Sequence, residues 1–92
     1  MTQSTILAAG TDNSTSTDVA VAAGAVATIG IFAASGSVTQ GMKAVVYVDT
    51  PGTDNRLIDL DSVTRQVQVN GPATYRVVRV NAPSAFGVWS ET

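Results

Sequence analysis

Cysteine and histidine are both missing from this sequence. Without cysteine there is no disulfide and no thiolate metal site. Without either residue, the usual general base and the usual thiol nucleophile are gone as well. Asp59 and Asp61 are the best remaining acid/base pair. Alternating acids on a strand are ordinarily a solvated face, and no orienting group or oxyanion donor accompanies them. The chain is therefore expected to be no enzyme and to need no cofactor or metal. Basic residues are also scarce: Lys43, Arg56, Arg65, Arg76 and Arg79 are all of them, and none precedes residue 43. Such a set forms no patch that could hold a phosphate backbone, so no nucleic-acid partner is expected. Long apolar runs are lacking too. Residues 20–34 come nearest, but Gly24, Thr28 and Gly30 interrupt them and the length falls short of a membrane span. The opening residues carry no positive side chain, which reads as a chain made in the cytoplasm.

Large side chains are few: two Phe, two Tyr, one Trp and two Met. A core built mainly from Ala and Val buries little area per residue, and 92 residues make one small domain. A subunit this lean is expected to gain stability by association, with copies of itself or with a larger body.

What the sequence does have is period-two alternation. Residues 18–22, 25–33, 41–49, 56–61, 65–69, 73–80 and 86–90 each read as a short strand, separated by turn signals. Ala44, Val46 and Val48 share one face of their strand, and Lys43, Val45, Tyr47 and Asp49 share the other. Ile58 and Leu60 point inward, with Asp59 and Asp61 outward. Thr50-Pro51-Gly52-Thr53 carries a type II turn signature. Gly30, inside a strand, marks a bend or a close approach. Seven or eight short, mainly antiparallel strands without a helical period predict an all-β protein, an immunoglobulin-like β-sandwich over residues 18–92. Residues 1–17 read as an N-terminal arm or loop-rich segment, because Thr11 to Thr17 is polar throughout. Ile6 and Leu7 could dock an arm on a neighbouring subunit.

Asn70-Gly71-Pro72 admits two readings. As a two-residue hairpin turn it would place Val67 opposite Thr74 and Arg65 opposite Arg76, pairing apolar with polar and like with like. As a corner between two packed sheets it would bury the Tyr75 ring and return its hydroxyl to backbone just upstream. The corner avoids the mismatch. Tyr75, Gly71 and Trp89 are the expected structural anchors.

Two binding chemistries can be set beside these strands. Asp49, Asp54, Asn55, Asp59 and Asp61 offer oxygens near one turn for calcium, but their spacing matches no EF-hand or similar pattern, and polar turn residues explain them. Tyr47 and Trp89 could be aromatic platforms for carbohydrate, although a tryptophan in a last strand is more often a core or interface anchor. Several strands carry apolar residues on both faces, and one sandwich buries only one face of each sheet. Val45, Tyr47, Ile29, Ile31, Val78 and Val80 are therefore the candidate interface residues.

From about residue 17 onward the chain resembles a family of small tailed-bacteriophage virion proteins. The resemblance rests on Val21-Ala-Ala-Gly-Ala25, Ile29-Gly-Ile-Phe-Ala-Ala-Ser-Gly36, Val46-Tyr-Val-Asp-Thr-Pro-Gly52, Gly71-Pro-Ala-Thr-Tyr-Arg-Val77 and Phe86-Gly-Val-Trp89. It implies a capsid-decorating or head–tail accessory subunit, made in the bacterial host and bound to a major capsid or other virion protein, as a homo-oligomer. A sugar- or surface-recognition module is the alternative.

Overall fold

The computed structural model describes residues 3–50 and 53–92, with side chains at all of them except 50, 53 and 54. The described residues form nine strands and no helix: β1 (Gln3–Gly10), β2 (Ser14–Thr15), β3 (Val19–Val21), β4 (Val26–Ala33), β5 (Lys43–Thr50), β6 (Thr53–Leu60), β7 (Gln66–Asn70), β8 (Ala73–Val80) and β9 (Phe86–Glu91).

Their pairing is that of one long antiparallel ribbon. β5 and β6 form the hairpin at its tip, followed by β4 with β7, then β3 and β2 with β8, then β1 with β9. Successive rungs of the ribbon alternate between two sheets. Wrapping it brings β9 beside β4 and β8 beside β5. Sheet I then has the order β1-β9-β4-β7. Sheet II has β8-β5-β6, with β2 and β3 both on the outer edge of β8. The expected all-β, antiparallel sandwich is present. Its connections follow the jelly-roll pattern rather than the immunoglobulin one. Every link except β2–β3 and the β5–β6 hairpin passes between sheets, and a local turn signal does not say which sheet the next strand will join. The turn residues Pro51 and Gly52 lie outside the described residues.

Between the sheets the core is filled by side chains at alternate positions. Ala27, Ile29 and Ile31 of β4, Phe86 and Val88 of β9, Ala44 and Val46 of β5, Leu60 of β6, and Tyr75 and Val77 of β8 are all buried there. This corrects the expectation for Ile29 and Ile31. They are 0% and 5% exposed and belong to the core cluster, so they have no outer contact to offer.

The segment expected as an arm or loop-rich stretch is woven into both sheets from Gln3 onward. β1 is an edge strand of sheet I, and a register shift between Thr5 and Leu7 lets Ile6 and Leu7 both pack against this chain's own core. Ser16 stands between the short strands β2 and β3. Its amide donates to the Val77 carbonyl (2.8 Å) and its hydroxyl accepts from the Val77 amide (2.9 Å). Polar residues here replace ladder bonds with side-chain ones, which is why the stretch reads as a loop while lying in a sheet.

The corner reading holds. β7 belongs to sheet I and β8 to sheet II, and the Tyr75 hydroxyl donates to the Asn70 carbonyl at 2.6 Å. The Gly71–Pro72 bond is cis. A Cβ at Gly71 would overlap the carbonyls of Val21 and Ala22, so only glycine fits where these segments meet.

At one end of the sandwich, Arg79 is turned inward and is 4% exposed. Its guanidinium donates to the carbonyls of Ala8 (2.8 Å), Asp12 (2.8 Å) and Phe86 (2.9 Å), and meets Asp12 Oδ1 at 3.2 Å. These bonds tie β1 and the loop after it to β8 and β9. Burying a cation is tolerable only with donors matched this fully.

Candidate functional site: the two outer faces

The chemistry left over from the core lies on the two outer faces of the sandwich. On sheet II the outer positions of β5 and β8 pair as Lys43 with Val80, Val45 with Val78, and Tyr47 with Arg76. β6 adds Asp59 opposite Val45 and, after a register shift, Arg56 opposite Tyr47. Arg56 holds Asp59 with Nε at 2.9 Å and Nη2 at 2.6 Å from Oδ1, and Lys43 reaches Asp59 Oδ2 at 3.3 Å. Arg76 lies 3.3 Å from Asp18 and 3.8 Å from Asp49. Long charged side chains can lay their stems over apolar neighbours while keeping their heads wet. Val45 is accordingly only 6% exposed although it stands outside the core cluster. Tyr47 and Val78 are half-buried and Val80 is exposed.

The acids once considered for catalysis or calcium are engaged here. The hydrogen bond from Arg56 holds the Asp59 carboxyl below its usual range, with Lys43 adding to it, and the same pairing pushes the Arg56 guanidinium up. Asp61 is lowered by the amides of Thr64 and Val63, which it caps at 2.9 Å each in the loop after β6. The two acids thus serve different local structures and do not act on a common point. Among the described residues no group of three or more potential ligands is placed to hold a metal. The Asp54 side chain lies outside the described set.

The outer face of sheet I is built differently. Gly30 of β4 stands opposite Trp89 of β9, and Phe32 stands opposite Gly87. A Cβ on Gly30 would lie 2.5 Å from the indole ring, and one on Gly87 would lie 2.6 Å from the Phe32 ring. Each strand therefore lends a glycine for the other strand's aromatic to cover. The close approach expected at Gly30 is real, and the approaching group is an indole rather than a backbone. Trp89, expected as a core or interface anchor, is a half-buried plate on the outside.

Beside these rings lies an open cleft of 310 Å³, lined by Gln3, Ser4, Thr5, Phe32 and Trp89. Gln66 and Gln68 of β7 project from the same face beyond Gly30 and Thr28. Glu91 is the only ionisable residue among the outward positions of this sheet's described strands. Neither the indole Nε1 nor the side chains of Gln3 and Thr5 hydrogen-bond within the described residues.

The structure thus separates the candidate interface residues. Val45, Tyr47, Val78 and Val80 share the outer face of sheet II, and Ile29 and Ile31 are interior. Phe32 and Gly87 were missed, and Gly30 was singled out without its aromatic partner. Their signal was the repeated pattern Gly30-Ile31-Phe32 and Gly87-Val88-Trp89, a glycine two residues before an aromatic on one strand face. Compared with known proteins, the chain matches no family model, no curated protein and no solved structure.

Proposed function

We propose that this protein is a structural, non-catalytic subunit that assembles onto a bacteriophage particle through the outer face of sheet II. The observation that carries the reading is the stripe Tyr47, Val45, Val78 and Val80 across the two central strands of that sheet, framed by Arg76, Arg56 and Lys43 with their acids. An aromatic and an arginine paired across two central strands, with polar groups around them, is the composition of a protein–protein contact. Placement on a virion, as a decorating or head–tail accessory subunit bound to a capsid or other virion protein, comes from the sequence resemblance. Viral capsid domains are also among the known uses of jelly-roll folds, which is support by analogy of fold. A thin core of Ala and Val agrees with a subunit stabilised by its neighbours.

The test is binding of the purified subunit to particles that lack it. Tyr47→Ala combined with Val80→Asp changes two side chains that are not part of the core. It should weaken attachment by about 30-fold, the equivalent of about 2 kcal/mol at a contact centre, with the unfolding midpoint near that of the unaltered protein. Undiminished attachment would exclude this face.

A further inference from the structure

We propose that the cleft beside Trp89 and Phe32 on sheet I binds a neutral glycan, by stacking a pyranose ring on the aromatic plate and bonding its hydroxyls to Gln3, Thr5 and the indole Nε1. The proposal is independent of the assembly role assigned to sheet II.

Three observations lead to it. First, the rings are held in place by the fold. Trp89 lies over Gly30 and Phe32 over Gly87 because the strands pair those residues directly, so the plate is largely formed before anything binds. An aromatic face carries partial negative charge, and the C–H side of a pyranose carries partial positive charge, so the two stack. Second, polar groups with no partner among the described residues surround the plate. Gln3 and Thr5 line the cleft, and the indole N–H is unpaired at its edge. Sugars are bound by this pairing of an apolar floor with a few hydroxyl-matching groups, and a 310 Å³ cleft sits at the lower end of the usual range of about 300–1,000 Å³.

Third, the charge pattern selects among ligands. Glu91 flanks Trp89 two residues on and pairs across to Gln3 and Thr28. Of the five basic residues, Lys43, Arg56 and Arg76 lie on the opposite sheet, Arg79 is buried inside the sandwich, and Arg65 stands at the β7 edge of sheet I with its Nε turned to the Ser62 carbonyl. Among the described residues no basic one lines the cleft, so an acidic polysaccharide would meet repulsion from Glu91 there. A neutral one would not.

Trp89 is the sole tryptophan, so its emission reports the site directly. The intact protein would be titrated with cellohexaose, maltohexaose, mannohexaose and N-acetylchitohexaose, with polygalacturonate as the acidic comparison. At least one neutral oligosaccharide should shift the emission saturably, and polygalacturonate should bind more weakly than that sugar. By calorimetry, Trp89→Ala should abolish the binding and Phe32→Ala should weaken it several-fold. Thr5→Ala with Gln3→Ala, at exposed positions that leave the core untouched, should also weaken it several-fold. Tyr47→Ala with Val80→Asp should leave it unchanged. A flat titration with all four neutral sugars would overturn the proposal. Equal binding by the Trp89→Ala or the Gln3/Thr5 variant would do the same, as would tighter binding of polygalacturonate.

Discussion

The two outer faces of this sandwich solve the same problem in opposite ways. Each sheet has apolar residues to cover on the side away from the core. Sheet II covers Val45 with its own charged side chains, Lys43 and Arg56 converging on Asp59. Sheet I uses rings, setting Trp89 and Phe32 over two glycines and leaving a cleft beside them. The first cover is salt-sensitive and worth little per pair. The second is fixed by strand register and uncharged apart from Glu91. A face of apolar residues framed by charged side chains suits contact with another protein, and a face with preset geometry suits a small, rigid ligand.

The contrast can be broken from either side. The largest effect should come from Gly87→Ala. The added Cβ would meet the Leu7 carbonyl at 2.5 Å as well as the Phe32 ring, so β1 itself must shift. Overpacking of this kind costs about 1–3 kcal/mol, and the upper end is expected because backbone is involved. Urea unfolding would measure it, and an unchanged midpoint would mean that the ring-over-glycine packing is not rigid.

On the other sheet, Val45→Asp places a carboxylate at a buried position directly opposite Asp59. A loss of about 2 kcal/mol is expected, within the range for burying an unmatched polar group. A change below a few tenths would show that the charged cover is too loose to matter. Between the faces, Tyr75→Phe sets a scale that belongs to neither. Losing the hydroxyl bond to Asn70 should cost about 1 kcal/mol, or up to about 3 if the carbonyl stays unpaired.

Smaller in stability but visible in spectrum is Gly30→Ala. Its Cβ meets only the movable indole, so the midpoint should fall by about 1 kcal/mol at most while the Trp89 emission shifts. An unchanged emission would remove Trp89 from its assigned seat.

Acid should act on the sheet II side. Asp59 and Asp61 have folded-state pKa values lowered by Arg56 and by the Thr64 and Val63 amides respectively. Their contribution is therefore present above the ordinary carboxylate pKa and is lost as pH falls through the lowered folded values. Asp59→Asn should flatten part of the acid limb of a stability–pH curve, and should leave the Trp89 emission alone. A limb of unchanged slope would show that Asp59 adds nothing.

Much of this was legible in the sequence. Alternation placed the strands, and it put Val45 and Tyr47 on the opposite side from Ala44, Val46 and Val48. Gly71-Pro72 followed by Tyr75 carried enough stereochemistry to give both the corner and the direction of the hydroxyl bond. Strand partners were not legible. β1 finds β9 across nearly the whole chain, and a period of two says which residues share a face but neither which face is inward nor which strand lies beside it. That is why Ile29 and Ile31 were grouped with the outer set, and why the N-terminal strand read as an arm. Arg79 shared a face with Tyr75 and Val77 in the alternation, so its inward direction was readable. Its three carbonyl partners, brought from Ala8, Asp12 and Phe86 by the fold, were not.

The claim that the faces divide the work is tested most directly by cryo-electron microscopy of particles carrying the subunit. Tyr47, Arg76 and Val80 should lie against a neighbouring protein, with Trp89 and Phe32 turned to solvent. Density showing the Trp89 plate pressed into the particle, with the sheet II stripe in solvent, would contradict the account.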